Sequence, residues 1–304
     1  MRDYSQQRDF KGYGATPPHI EWPGGARVAV SFVVNVEEGA ELSVTDGDER
    51  NEGVHESIED VGRQPDPCHD SHYEFGTRIG YWRVMEELGR HNAPATMNIC
   101  GRAIERSPWL AQDAAARGHE LACHGWRWER HVGMSEAHER IAIARAVRAI
   151  QAASGITPIG WHTRSAPSVN TRRLLLEHGG FLYDSDAYCD ELPFFLQVEG
   201  RRHLVLPYSF DTNDMNFHGS QRFVTAADFA GYVIDAYDRL WEEGADMPRM
   251  MSIGLHLRII GRAARIGALR TILQHITQRG GGWIARRDEI ARHWLDKMGT
   301  DAQG

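Results

Sequence analysis

Short apolar runs recur along this chain, each followed by a stretch with helical spacing, and this alternation does most to restrict the fold. The first run, Arg27-Val-Ala-Val-Ser-Phe-Val-Val-Asn-Val36, is continuous and β-branched, as a strand buried on both faces should be. Similar runs follow at Ala95–Cys100, Glu120–His124, Pro158–His162, Phe181–Asp184, His203–Tyr208, Met250–His256 and Gly282–Ala285. Helical patterns fall between them at Thr77–Leu88, from Ser107-Pro108, from Ser135 to about Ala153, at Asn170–His178, from Thr225, near Ala263–Gln278 and at Arg287–Lys297. Strands alternating with helices predict a parallel sheet with right-handed crossovers. Seven or eight such units in a chain of 304 residues predict a distorted (β/α)7–8 barrel forming one domain, closed or nearly so. An open doubly wound sheet is the alternative, and no glycine-rich dinucleotide fingerprint supports it.

Two stretches break the rhythm. Residues 1–25, rich in glycine, proline and aromatic side chains, read as an ordered arm. Residues 39–76 are charged and without clear period, and read as a long loop covering the active site.

Composition narrows the function. A net charge of −8 argues against a nucleic-acid partner. No run of about 18 apolar residues is present, so no membrane span is expected. The first ten residues lack the apolar core of a secretory signal, and the four cysteines form no CxxC pair. These features together predict a cytoplasmic protein with free thiols.

In a parallel barrel the chemistry collects where strands end. The predicted exits carry Glu37-Glu38, His124-Gly-Trp126-Arg-Trp128, His162-Thr-Arg164, Asp184-Ser-Asp186, Asp211-Thr-Asn-Asp214 and His256-Leu-Arg258. Ionisable residues at six exits in register point to a catalytic rim. Two adjacent acids ending a buried strand repel, which raises one of their pKa values.

The order of these motifs, with Gly118-His-Glu120 before His124-Gly-Trp126 and a late Leu255-His256, resembles the polysaccharide deacetylase superfamily. Longer stretches resemble its cofactor-independent allantoinase branch, known from bacterial purine catabolism. They are Tyr73-Glu-Phe-Gly-Thr-Arg78, Asn170-Thr-Arg-Arg-Leu174, Gly179-Gly-Phe-Leu-Tyr-Asp-Ser-Asp186, Asp211-Thr-Asn-Asp-Met215, and Ser252 to His256 running on to Arg262. The resemblance implies a hydrolase of non-peptide C–N bonds that opens a small cyclic amide, such as allantoin to allantoate, or a cyclic imide. It implies Glu37 as general base, His256 as general acid or oxyanion partner, and His124 orienting water or polarising the carbonyl. Glu38, Glu74, Arg78, Trp126, Arg164 and Arg258 would bind substrate, Arg164 by holding the Glu37 carboxylate or gripping a carbonyl. It also implies a homo-oligomer, a dimer or a tetramer.

Metal-dependent members of the superfamily use Asp-Asp and His-x-x-x-His. Here the acids are Glu37-Glu38, and Trp128 stands four residues after His124. No cofactor or metal is therefore expected. If zinc binds, Glu38 and His124 are its ligands; otherwise those two are expected to hydrogen-bond each other. A metal-dependent N-acetyl-sugar deacetylase, acting on polysaccharide or peptidoglycan, is the first alternative function. A barrel that only binds a small ligand is the second, although binding alone needs no acid and base.

Overall fold

The structure, a computed structural model, describes residues 8–54, 59, 61–218 and 223–299. Among the described residues nine strands form one sheet: β1 (Val28–Val36), β2 (Thr96–Ile99), β3 (Glu120–Cys123), β4 (Gly160–Trp161), β5 (Tyr183–Asp184), β6 (Phe194–Val198), β7 (Arg201–Val205), β8 (Arg249–His256) and β9 (Gly282–Ile284). Their order is β6-β7-β5-β4-β3-β2-β1-β8, with β9 also on β1. Every pairing is parallel except β6 with β7.

β1 is the axis of the fold. All nine of its residues are buried, and it pairs with β8 from Val28 to Asn35. Its far side is shared by β2, from Val33 to Val36, and β9, from Val28 to Val30. A valine-rich run suits a strand with packing on both faces, because branched side chains lose little freedom there. The sheet curls into a half-barrel. Past β7 the chain reaches the free edge of β8, where Asn213 bridges Gly254 and Thr212 O accepts from Gly254 N.

Helices cover the outside where their caps announce them. Ser135 accepts from His138 N at the start of α5 (Glu136–Ser154), and Gly155 ends it in the left-handed region. Numbered in chain order, the others are α1 (Pro67–Phe75), α2 (Tyr81–Arg90), α3 (Gly101–Arg106), α4 (Pro108–Ala116), α6 (Thr171–His178), α7 (Ala226–Glu243), α8 (Leu257–Ile260), α9 (Gly267–Arg279) and α10 (Arg287–Met298). A capping box of Thr225 and Asp228 opens α7. Among the described residues no helix is long and apolar enough to cross a membrane.

Two expectations need correction. The segment 39–76 is not one long loop: Asp66 caps α1 by accepting from Cys68 N and His69 N, and a π turn at Gly76–Gly80 joins α1 to α2. Residues 55–58 and 60 of that segment, and residues 1–7 of the arm, lie outside the described residues. The second is β6, which sequence reading passed over. It forms a hairpin with β7 through Glu199-Gly200, both at positive φ.

Candidate active site

The strand exits bring five ionisable side chains into one buried cluster. Glu37 follows β1, His124 follows β3, His256 ends β8 and Arg258 lies in α8. Asp214 comes from the segment that reaches over to β8. All five are at most 4% exposed.

Glu37 is the centre. Its Oε1 lies 3.3 Å from His124 Nε2 and 3.4 Å from His256 Nε2, and its Oε2 accepts from Arg258 Nη1 at 2.6 Å. Burial pushes the Glu37 carboxyl up, but Arg258 and His256 outweigh it and hold the group well below the usual carboxylate range.

His256 binds Asp214 through Nδ1 at 2.6 Å, and the other Asp214 oxygen accepts from His256 N and Ile260 N. Burial lowers the His256 pKa, yet Glu37 and Asp214 raise it more, to about 9. At neutral pH it is an imidazolium with both ring nitrogens donating. His124 differs: its Nδ1 lies 2.7 Å from His162 O, and because a carbonyl only accepts, that nitrogen carries the proton. In a neutral His124, Nε2 is then a lone pair facing Glu37.

Aromatic rings hold the guanidinium. Arg258 Cζ is 4.8 Å from the Tyr73 ring centre and 4.9 Å from the Trp128 ring centre. Arg164 lies over Trp128 as well, at 3.5 Å, and pairs with Glu52. Glu52–Arg164 and Arg258–Glu37 are thus two ion pairs whose arginines share the Trp128 indole.

Several expected neighbourhoods change. Glu38 does not meet His124: its carboxylate accepts from Glu37 N and Arg258 N. The raised acid of the pair is Glu38, lifted by burial to about 7 against the pull of Arg258, with Glu37 adding to the rise. Of the two adjacent acids, the one whose pKa is raised is therefore Glu38, and Glu37 is lowered. Glu38 packs so closely on the π turn that a Cβ on Gly76 would collide with its carboxylate. Arg164 holds Glu52, and Arg258 takes the Glu37 carboxylate in its place. Glu74 and Arg78 pair with each other at 58% and 74% side-chain exposure, away from the cluster. Trp126 donates to Glu105 and lies under Arg145. His131 is buried against Glu139.

Asp214 and Tyr73 were not among the candidate site residues. Both stand inside motifs quoted from the sequence, and charge at a strand exit was the signal that pointed to Asp214.

A divalent ion needs about three converging lone pairs. Glu38 faces backbone amides, Trp128 offers no ligand, His256 has both nitrogens committed to carboxylates, and Arg258 occupies one side of Glu37. Among the described residues no group of three or more His, Cys, Asp or Glu is placed to hold a metal. This donor set does not fit zinc, and the guanidinium supplies the positive charge beside Glu37 instead.

Residues 68–177 match the polysaccharide deacetylase family. A protein of Schizosaccharomyces pombe described as a putative polysaccharide deacetylase is 34% identical, across 96% of this chain and 98% of its own. A crystal structure of a probable polysaccharide deacetylase from Pseudomonas aeruginosa PAO1 superposes with a TM-score of 0.91 at 42% identity. One of Puue allantoinase does so with a TM-score of 0.91 at 41% identity. Each of these two alignments covers 96% of this chain and 98% of the other.

Proposed function

This chain belongs to the polysaccharide deacetylase family of hydrolases, and from that premise we propose that it opens a small cyclic amide, with allantoin the leading candidate. The observation that carries this reading is Glu37 held between a raised imidazolium, a second imidazole and a guanidinium. Such a group offers an acid, a base and a fixed positive charge without a bound ion.

The steps follow from the charges. A water between Glu37 Oε1 and His124 Nε2 attacks the ring carbonyl and gives up a proton. Glu37 is too well stabilised by Arg258 to keep that proton, so it passes to His124 Nε2. Arg258 balances the negative charge growing on the carbonyl oxygen. His256 donates its Nε2 proton to the leaving nitrogen as the C–N bond breaks. The new carboxyl then returns a proton to His256, and His124 releases its own to solvent.

Likeness to a solved allantoinase at 41% identity supports the cyclic-amide substrate. The yeast and Pseudomonas relatives, described as putative or probable polysaccharide deacetylases, favour a second reading, N-acetyl-sugar deacetylation. The two separate in one assay. Enzyme purified without added metal is given racemic allantoin, hydantoin, succinimide and a chito-oligosaccharide, each with and without chelator or zinc. Chelator-insensitive opening of a ring is the expected result. Activity that appears only with zinc, on the sugar, overturns it.

A further inference from the structure

Two histidines of this site have a carboxylate beside Nδ1, and their remaining surroundings differ. His256 has Asp214 on one nitrogen and Glu37 near the other. His162, at the exit of β4, has Asp186 Oδ1 3.1 Å from Nδ1, close but without hydrogen-bond alignment. Asp186 is itself fixed, accepting from Thr163 N and Thr163 Oγ1, each at 2.7 Å. No carboxylate is paired with His162 Nε2, and no hydrogen bond to it occurs among the described residues.

His162 is also close to the reacting groups. Its ring stacks on His124, with centres 5.2 Å apart and planes 11° apart, and its carbonyl fixes the His124 tautomer. It touches Tyr208 at 4.6 Å and Tyr188 at 6.4 Å between centres. Tyr188 stacks on Phe210, which is 54% exposed. Tyr188, Tyr208 and Phe210 are in the wall of a cavity of about 1410 Å³ that neither His162 nor Glu37, His124 and His256 line. His162 therefore touches both the aromatic wall of that cavity and the imidazole that faces Glu37.

We propose that His162 is a recognition residue of this site, accepting through Nε2 an N–H of a cyclic ureide or imide; this rests on the cyclic-amide reading above. Burial pushes the His162 pKa down, and His124 and Arg287 add to that against the pull of Asp186, so the ring is neutral at physiological pH. A neutral imidazole with its proton on Nδ1, toward Asp186, presents a lone pair at Nε2. His256 and His162 are thus pushed apart, one to donate and one to accept, which is how paired titratable groups divide their work. A buried acceptor rejects a substrate that lacks the matching donor far more strongly than an apolar wall could.

The test compares hydantoin with its two singly N-methylated forms. Wild type should prefer hydantoin over at least one methylated ring by about a hundredfold in kcat/KM. His162→Phe should reduce that preference to within about threefold, mainly through a higher KM for hydantoin. His162→Gln, whose carboxamide oxygen accepts, should restore at least about tenfold. His162→Met carries the same test if the phenylalanine variant does not fold. A variant without an acceptor that keeps the preference, or that loses activity equally on all three rings, overturns the proposal alone. A wild type that opens neither these rings nor allantoin overturns the cyclic-amide reading and this proposal with it; if allantoin alone is opened, the same comparison is made between allantoin and its N-methylated forms.

Discussion

The rim of the barrel and its lower interior both bury charge, and they stabilise it differently. At the rim, Glu37, Arg258, His256 and Asp214 face partners of opposite charge at 2.6 to 3.4 Å. Below them Arg287 is fully buried, and its side chain donates only to neutral oxygens: Ser185 Oγ, Ser252 Oγ, and the carbonyls of Leu206 and Pro207. Glu120 nearby accepts from the Thr96 and Tyr183 hydroxyls and from Asp288 N. Burial, with Asp288 adding to it, lifts Glu120 to about 7. Rim groups face ionisable partners, whereas each side-chain nitrogen of Arg287 is matched to a fixed neutral acceptor. The first arrangement suits chemistry and the second holds strands together.

The sharpest way to break that comparison is Glu37→Gln. It keeps shape and removes the central charge, so turnover should fall by about a thousandfold while substrate still binds. Single-turnover assays with calorimetric titration check both halves. Turnover above a tenth of wild type would mean the rim is not where the reaction occurs.

Next in size is Arg287→Met, which removes a donor from four buried oxygens, of which Pro207 O keeps another in Ser252 Oγ. The loss should be about 3 kcal/mol, or a fall in Tm of about 5 °C for a chain of this size. Turnover by the folded fraction should stay within about tenfold. A melt with unchanged Tm, but turnover lost as in Glu37→Gln, would reverse the roles assigned to the two regions.

A third test uses pH. His256 has a folded pKa near 9, raised from 6.5. The stability it contributes is fully present below about 6.5 and is lost as pH rises through about 9. If His256 is the acid, kcat/KM falls over that same upper limb. Asp214→Asn removes one of the two charges that raise the group, so the limb should move to lower pH. A limb that stays in place would separate Asp214 from the proton on His256.

How much of this was legible in the sequence depended on distance along the chain. A valine run followed by Glu37-Glu38, or an apolar run ending in His256, announces a strand exit with local information only. β6 left a local signal too, the Glu199-Gly200 turn between two apolar stretches, and so did α1, in Asp66-Pro67. What stayed hidden was pairing. Arg164 meets Glu52 across 112 residues, and Asp214 meets His256 across 42, through the closure of the sheet edge. Which arginine reaches Glu37 depends on how the four-residue helix α8 turns Arg258 inward, and no spacing rule gives that.

The motif Tyr73 to Arg78 marks the limit of reading a motif as one block, and it yields the smallest expected effect. Tyr73 is buried beneath Arg258, and Gly76 admits Glu38. Glu74 and Arg78 pair four residues apart on the outward side. One helical turn thus divides the motif into an inner half that shapes the rim and an outer half in solvent. The Glu74→Ala, Arg78→Ala double variant should leave kcat/KM within about twofold, because an exposed pair contributes little. Gly76→Ala should be far more damaging, since it pushes directly on Glu38. If the double variant instead loses activity like Glu37→Gln, those two side chains reach the substrate, and the boundary of the rim must be redrawn outward to include the solvent face of α1.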